Sequence, residues 1–138
     1  MNYELKRWGS RELNDGQGRD LRERTKRYAL GMIRLFTSLP KDAASQVLGR
    51  QVLRSGTSVG AHYREAFRAR SKVEFVAKLG DCLKELDESA YWLELLRDGT
   101  GLGGQEVARL EDETDQLLAI FTTIAKKSKP QFASTPPP

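Results

Sequence analysis

Few side chains in this 138-residue sequence could do chemistry, and their types narrow what it can be. There is one histidine, His62, and one cysteine, Cys82. A lone histidine removes most acid–base, nucleophilic and metal-ligand designs, which need a second partner at fixed spacing. No Glu-x-x-His pair occurs, so the di-iron chemistry of helical bundles lacks its ligand set. Neither a glycine-rich phosphate loop with lysine nor a nucleophile elbow is present. Asp81, Glu85 and Glu88 share a helical face, but Lys78 and Lys84 adjoin them, which suits a solvated or interface role better than proton transfer. Cys82, beside Leu83 in a helical pattern, reads as a small core residue, and His62 as a hydrogen-bonded histidine on a core seam. The expectation is a protein with no catalytic residue, no metal site and no cofactor, and so not an enzyme.

What remains is charge. The net charge of +4 is mild but unevenly distributed. From Arg50 to Lys72 six cations face one anion, Glu65, whereas from Asp81 to Asp115 eleven acids face three bases. At about 100° per residue, Arg50, Arg54, Arg64 and Arg68 fall on one helical face, with Thr57 and Ala61 between them. Glu65 reaches only Arg68 at helical spacing. Two readings stay open. The row is a solvated face, or one that pairs with acids across an interface. Alternatively, reinforced by Arg70 and Lys72, it contacts the phosphates of RNA or DNA, independently of base sequence and sensitively to salt. The lopsided charge equally suits head-to-tail pairing of identical subunits.

Four helices must carry these residues. Asp20-x-x-Glu23 resembles a capping box opening the first, with Tyr28, Met32, Ile33, Phe36 and Leu39 at helical spacing before Pro40 ends it. The second starts near Asp42 or Ala43 and runs to about Ala69, with Leu48, Val52, Ser55, Val59, His62 and Ala66 as its core seam. Ser71-x-x-Glu74 is a capping box for the third, whose seam is Phe75, Leu79, Cys82, Leu86, Ser89, Leu93 and Leu96. Glycines from Gly99 to Gly104 break it. The fourth repeats the alternation in Val107, Leu110, Thr114, Leu117, Phe121 and Ile124. Seams advancing by about 3.5 residues are what shallow-angle antiparallel packing requires, and no strand pattern competes. The fold class expected is all-α, an antiparallel up-down four-helix bundle.

The second helix has one stripe too many. Gly49, Gly56, Gly60, Tyr63 and Phe67 lie about a quarter turn from the core seam. Helical glycines cost about 1 kcal/mol each against alanine, so three on a face imply a close neighbour. The stripe is read as an oligomer interface; the competing reading is a wide core face closed by the third helix, through Gly80.

The organisation expected is an N-terminal arm over residues 1–19, a bundle over 20–127 and a disordered proline-rich tail over 128–138. Trp8 in the arm packs locally or docks on a neighbouring surface. At 38% hydrophobic residues the chain is too apolar to be disordered throughout, and its apolar runs are too short to span a membrane. The first residues lack the apolar stretch of a secretory signal, and one cysteine cannot form an intramolecular disulfide. A reducing cytoplasm is the expected location.

The segment Leu53 to Leu96 resembles the bacterial proteins encoded by intervening sequences of 23S rRNA genes. The resemblance rests on Arg54-Ser55-Gly56-Thr57-Ser58-Val59-Gly60-Ala61, Arg64-Glu65-Ala66, Ser71-Lys72, Phe75, Lys78-Leu79, Leu83-Lys84-Glu85 and Tyr91-Trp92-Leu93. By layout it extends from about Leu21 to Ile124. The family pattern has asparagine then isoleucine where this chain has His62-Tyr63. The resemblance implies an antiparallel bundle assembled as a homopentamer, with a biochemical role that is not established. The chain is also distantly similar to the accessory variability determinant of diversity-generating retroelements, a basic pentameric bundle. That likeness implies nucleic acid, and a reverse transcriptase or other protein, as partners by fold analogy alone.

Overall fold

The computed structural model describes residues 15–102 and 104–128, and these form four helices: α1 (Asp15–Ser38), α2 (Ala43–Phe67), α3 (Lys72–Thr100) and α4 (Gly104–Ser128). Each neighbouring pair packs, α1 on α2, α2 on α3, α3 on α4 and α4 back on α1, as an antiparallel up-down bundle requires. The Asp42 carboxylate accepts from the Ser45 N–H at the start of α2, and the Ser71 hydroxyl from the Glu74 N–H at the start of α3. Gly101 ends α3 in the left-handed conformation (φ 67°), its N–H donating to the Arg97 carbonyl. The break therefore falls two residues after Gly99, which stays helical.

The start of α1 differs from expectation. The helix begins at Asp15, so Asp20 lies inside it and caps nothing. Tertiary contact overrides the weak local propensity of a Gly-x-Gly stretch: the Tyr63 hydroxyl donates to the Gly18 carbonyl, and Phe67 packs against Gly18. At the other end α4 takes in Ser128, whose buried hydroxyl donates to the Ile124 carbonyl. The rest of the expected arm, residues 1–14 with Trp8, and of the tail, residues 129–138, lies outside the described residues.

The seams of α3 and α4 are buried residue for residue as the spacing predicts. The buried large side chains of α1 are Leu21, Tyr28, Met32 and Leu35, with Thr25 among them and Leu39 just past the helix end, while Ile33 stands 42% exposed. Leu35, not Ile33, continues the seam, because Tyr28, Met32, Leu35 and Leu39 advance by four, three and four.

One layer of the core is polar. Tyr28 of α1, Ser55 of α2, Ser89 of α3 and Thr114 of α4 are all buried at mid-bundle. The Ser89 hydroxyl donates to Ser55 Oγ at 2.8 Å, and the Ser55 hydroxyl donates to the Gln51 carbonyl. Thr114 Oγ1 donates to the Leu110 carbonyl, so the Tyr28 hydroxyl, 2.6 Å away, is the donor to Thr114. A buried hydroxyl without a partner costs about 1–3 kcal/mol, so this layer penalises sliding any helix out of register.

Candidate nucleic-acid interface

The arginine row of α2 divides three ways. Arg54 leans toward α3, where its guanidinium donates to Glu88 at 2.7 Å and reaches the buried Glu85 at 3.5 Å. The hydrogen bond from Arg54 holds the Glu88 carboxyl below the usual carboxylate range, and Glu88 in turn raises Arg54. The acids that one helix lacks are thus supplied by the next, and Arg54 is neutralised. Arg64 turns the other way, toward α1, while Arg50 and Arg68 stay exposed. Among the described residues no carboxylate lies within ion-pair distance of Arg50, Arg64 or Arg68.

Arg70 and Lys72 follow at the α2–α3 turn and the start of α3. The Arg70 N–H donates to the Glu74 carboxylate, and its side chain is exposed at the α2–α3 turn. Lys72 lines an apolar groove on α3 with Val73, Val76 and Ala77. His62 is also misplaced by the spacing argument. Its ring is 30% exposed, with Nδ1 3.1 Å from Glu65, and the buried position belongs to its neighbour Tyr63. Glu65 also accepts from Lys78 at 2.9 Å; these contacts, Lys78 foremost, keep its carboxyl low.

The glycine–aromatic stripe corrects a larger expectation. Gly49, Gly56, Gly60 and Tyr63 are not an outward interface, because α1 of the same chain already covers them. A Cβ at Gly49 would sit 2.6 Å from Leu39 and 2.9 Å from Phe36, one at Gly56 would collide with Met32, and one at Gly60 would press on Thr25. Tyr63 is fully buried and meets Phe121 of α4 at a ring-centroid distance of 5.6 Å. Phe67 is half-buried, under the Arg22 guanidinium at 5.6 Å. The competing reading fails in detail too: the neighbour is the first helix, and Gly80 has nothing near it.

This close approach brings together cations that a wheel of α2 alone misses. Arg22 and Lys26 of α1 line a cleft of about 270 Å3 with Arg64 of α2, and Glu23 is its one carboxylate. Their signal in the sequence was the four-residue spacing of Arg22 and Lys26, which puts both on one face. A second groove, between α1 and α4, differs in balance: Arg27, Arg34 and Arg109 line it with Glu106, Asp112 and Glu113. Among the described residues no group of three His, Cys, Asp or Glu could hold a metal ion, and no helix is long and apolar enough to cross a membrane.

A four-helix bundle whose first hairpin is basic on its outer surface is the class these features define. The chain belongs to the family of 23S rRNA-intervening sequence proteins, whose model matches residues 19–123. It is also similar to a solved structure from Bacteroides thetaiotaomicron, described as a protein of unknown function from the S23 ribosomal protein family. That similarity has a TM-score of 0.73 and 30% identity, over 79% of this chain and 97% of the other. Comparison with curated proteins found no match. Neither match bears on the likeness to the retroelement protein.

Proposed function

We propose that this chain is a non-catalytic, oligomeric bundle of the cytoplasm that binds RNA or other nucleic acid through the basic surface of its first hairpin. The observation that carries the reading is the set of exposed arginines, Arg50, Arg64 and Arg68, left without a carboxylate while Arg54 is paired off. Exposed, unpaired guanidinium groups suit phosphate oxygens, and several copies in one assembly would multiply weak contacts into avidity. Family resemblance suggests five copies.

The test is RNA binding by the purified protein at about 50 and about 200 mM salt, beside a variant with Arg50, Arg64 and Arg68 changed to glutamine. Wild-type binding should weaken steeply with salt, and the variant should lose it while keeping its mass by light scattering. Arg54→Gln alone should change binding little. No binding by the wild type at low salt would refute the reading.

A second reading, in which the protein serves assembly, has its own support. The first turns of α3 carry an apolar outer stretch: Val73 is 80% exposed, with Ala77 and Gly80 exposed after it, and Tyr91, 53% exposed, stands further along beyond Lys84 and Asp87. On this reading the basic hairpin of one copy meets the acidic hairpin of the next. Loss of the oligomer in the triple glutamine variant would favour it.

A further inference from the structure

We propose that the cleft between α1 and α2 is a phosphate-binding site with Arg22, Lys26 and Arg64 as its ligands. It deepens the nucleic-acid reading by adding α1 to the surface, and rests on that reading only for the polymeric form of the ligand.

The cleft follows from the packing. Gly60 lets α2 close on α1, its missing Cβ standing 3.2 Å from Thr25 Oγ1. Arg22 and Lys26 lie on the α1 wall and Arg64 on the α2 wall. Arg22 is also fixed from below, its guanidinium lying over the Phe67 ring. A guanidinium held over a ring face can still turn N–H groups to an oxygen ligand, and it loses some rotamer freedom in advance of binding. Among the described residues none of the three cations is in an ion pair, Glu23 included as a candidate partner. Like charges lining one cleft repel, and a bound anion relieves that repulsion.

The charge count points to phosphate rather than carboxylate. Three cations and one carboxylate leave two positive charges, matching a phosphate dianion or two successive phosphodiesters. Guanidinium forks on opposite walls can each take two oxygens of a tetrahedral anion, whereas a planar carboxylate offers only two in all. The α1–α4 groove contains arginines as well, but its three carboxylates cancel that excess.

The shared chemistry could come from a nucleic-acid backbone or from a free phosphate compound, and titration separates them. Inorganic pyrophosphate and an oligouridylate are each titrated into the full chain. The same is done for Arg22→Gln with Lys26→Gln, for Arg64→Gln, and for Arg50→Gln with Arg68→Gln outside the cleft. Both cleft variants should weaken pyrophosphate binding by roughly tenfold or more, the scale of one lost charge-assisted hydrogen bond. The outer variant should leave pyrophosphate unchanged and weaken the oligouridylate only. Two independent walls keep the test valid should one variant not fold. Pyrophosphate bound normally by both cleft variants, or not bound by the wild type, overturns the proposal. Cleft-dependent pyrophosphate binding with no oligouridylate binding upholds the cleft, assigns it a free phosphate ligand and refutes the nucleic-acid reading.

Discussion

In the first hairpin α1 and α2 meet through glycine. Gly49, Gly56 and Gly60 each leave out the atom that Leu39, Phe36, Met32 or Thr25 then occupies. In the second hairpin α3 and α4 bury large side chains in regular seams, and the glycines inside α3, Gly80 and Gly99, are exposed, with nothing within 4 Å of where a Cβ would stand. The outer surfaces differ as well, basic on the first hairpin and acidic along much of the second. A helical glycine thus has two opposite meanings. Beneath a neighbouring helix it is a requirement of packing. On an open face it is a propensity cost with no contact within the chain to offset it.

The strongest way to break this contrast is Gly56→Val. Its Cβ alone collides with Met32 near the root of that side chain, and the branch adds two methyl groups. Overpacking of this kind costs about 3 kcal/mol, the upper end of its usual range. A urea melt should show the midpoint falling accordingly. An unchanged midpoint would mean that α1 does not lie on this face, and would restore the stripe as an outward surface.

Legibility in the sequence followed the width of the buried face. Each of α3 and α4 could be read from its own alternating seam, because one buried face explains every member from Phe75 to Leu96 and from Val107 to Ile124. In α2, whose buried face is wide enough to hold both the seam and the glycines, the wheel located the glycines but could not say which helix closed over them. Nor could it see that Arg54 finds its carboxylates 31 and 34 residues away. Tyr63 rather than His62 is buried because the approach of α1 turns the covered face toward the glycines. Ile33 fits helical spacing with Phe36 but lies off the line that Tyr28, Met32, Leu35 and Leu39 define. The α1–α2 cleft was invisible for the same reason as Arg54: its charges belong to different helices.

The polar layer joins the two hairpins, and alkaline titration probes that joint. Burial pushes Tyr28 from 10.0 up to about 12, with the hydrogen bond to Thr114 acting the other way. Tyrosine ionises earlier in the unfolded chain. The stabilisation is therefore intact below about pH 10 and is lost progressively as pH rises to about 12, at about 1.4 kcal/mol per unit. Tyr63, also raised by burial, adds in the same direction. The urea midpoint should be lower at about pH 11 than at about pH 9, by the equivalent of about 1–2 kcal/mol, more than the single-residue effect expected at Gly80. Equal midpoints would show that the layer ionises freely and does not lock the hairpins together.

The smallest effect sharpens the contrast most. Gly80→Ala adds a methyl group to a helical position with no neighbour within 4 Å, so within one chain it should only improve helix propensity. The expected gain is about 0.5–1 kcal/mol, the reverse in sign of Gly56→Val. Thermal unfolding at several protein concentrations separates two origins of any deviation. A gain independent of concentration fits an open face. A loss that grows with concentration would mean that a second copy covers Gly80, as helices do when small residues let their backbones approach. The exposed Val73 and Ala77 on the same face would then belong to the subunit interface that the stripe on α2 was expected to supply.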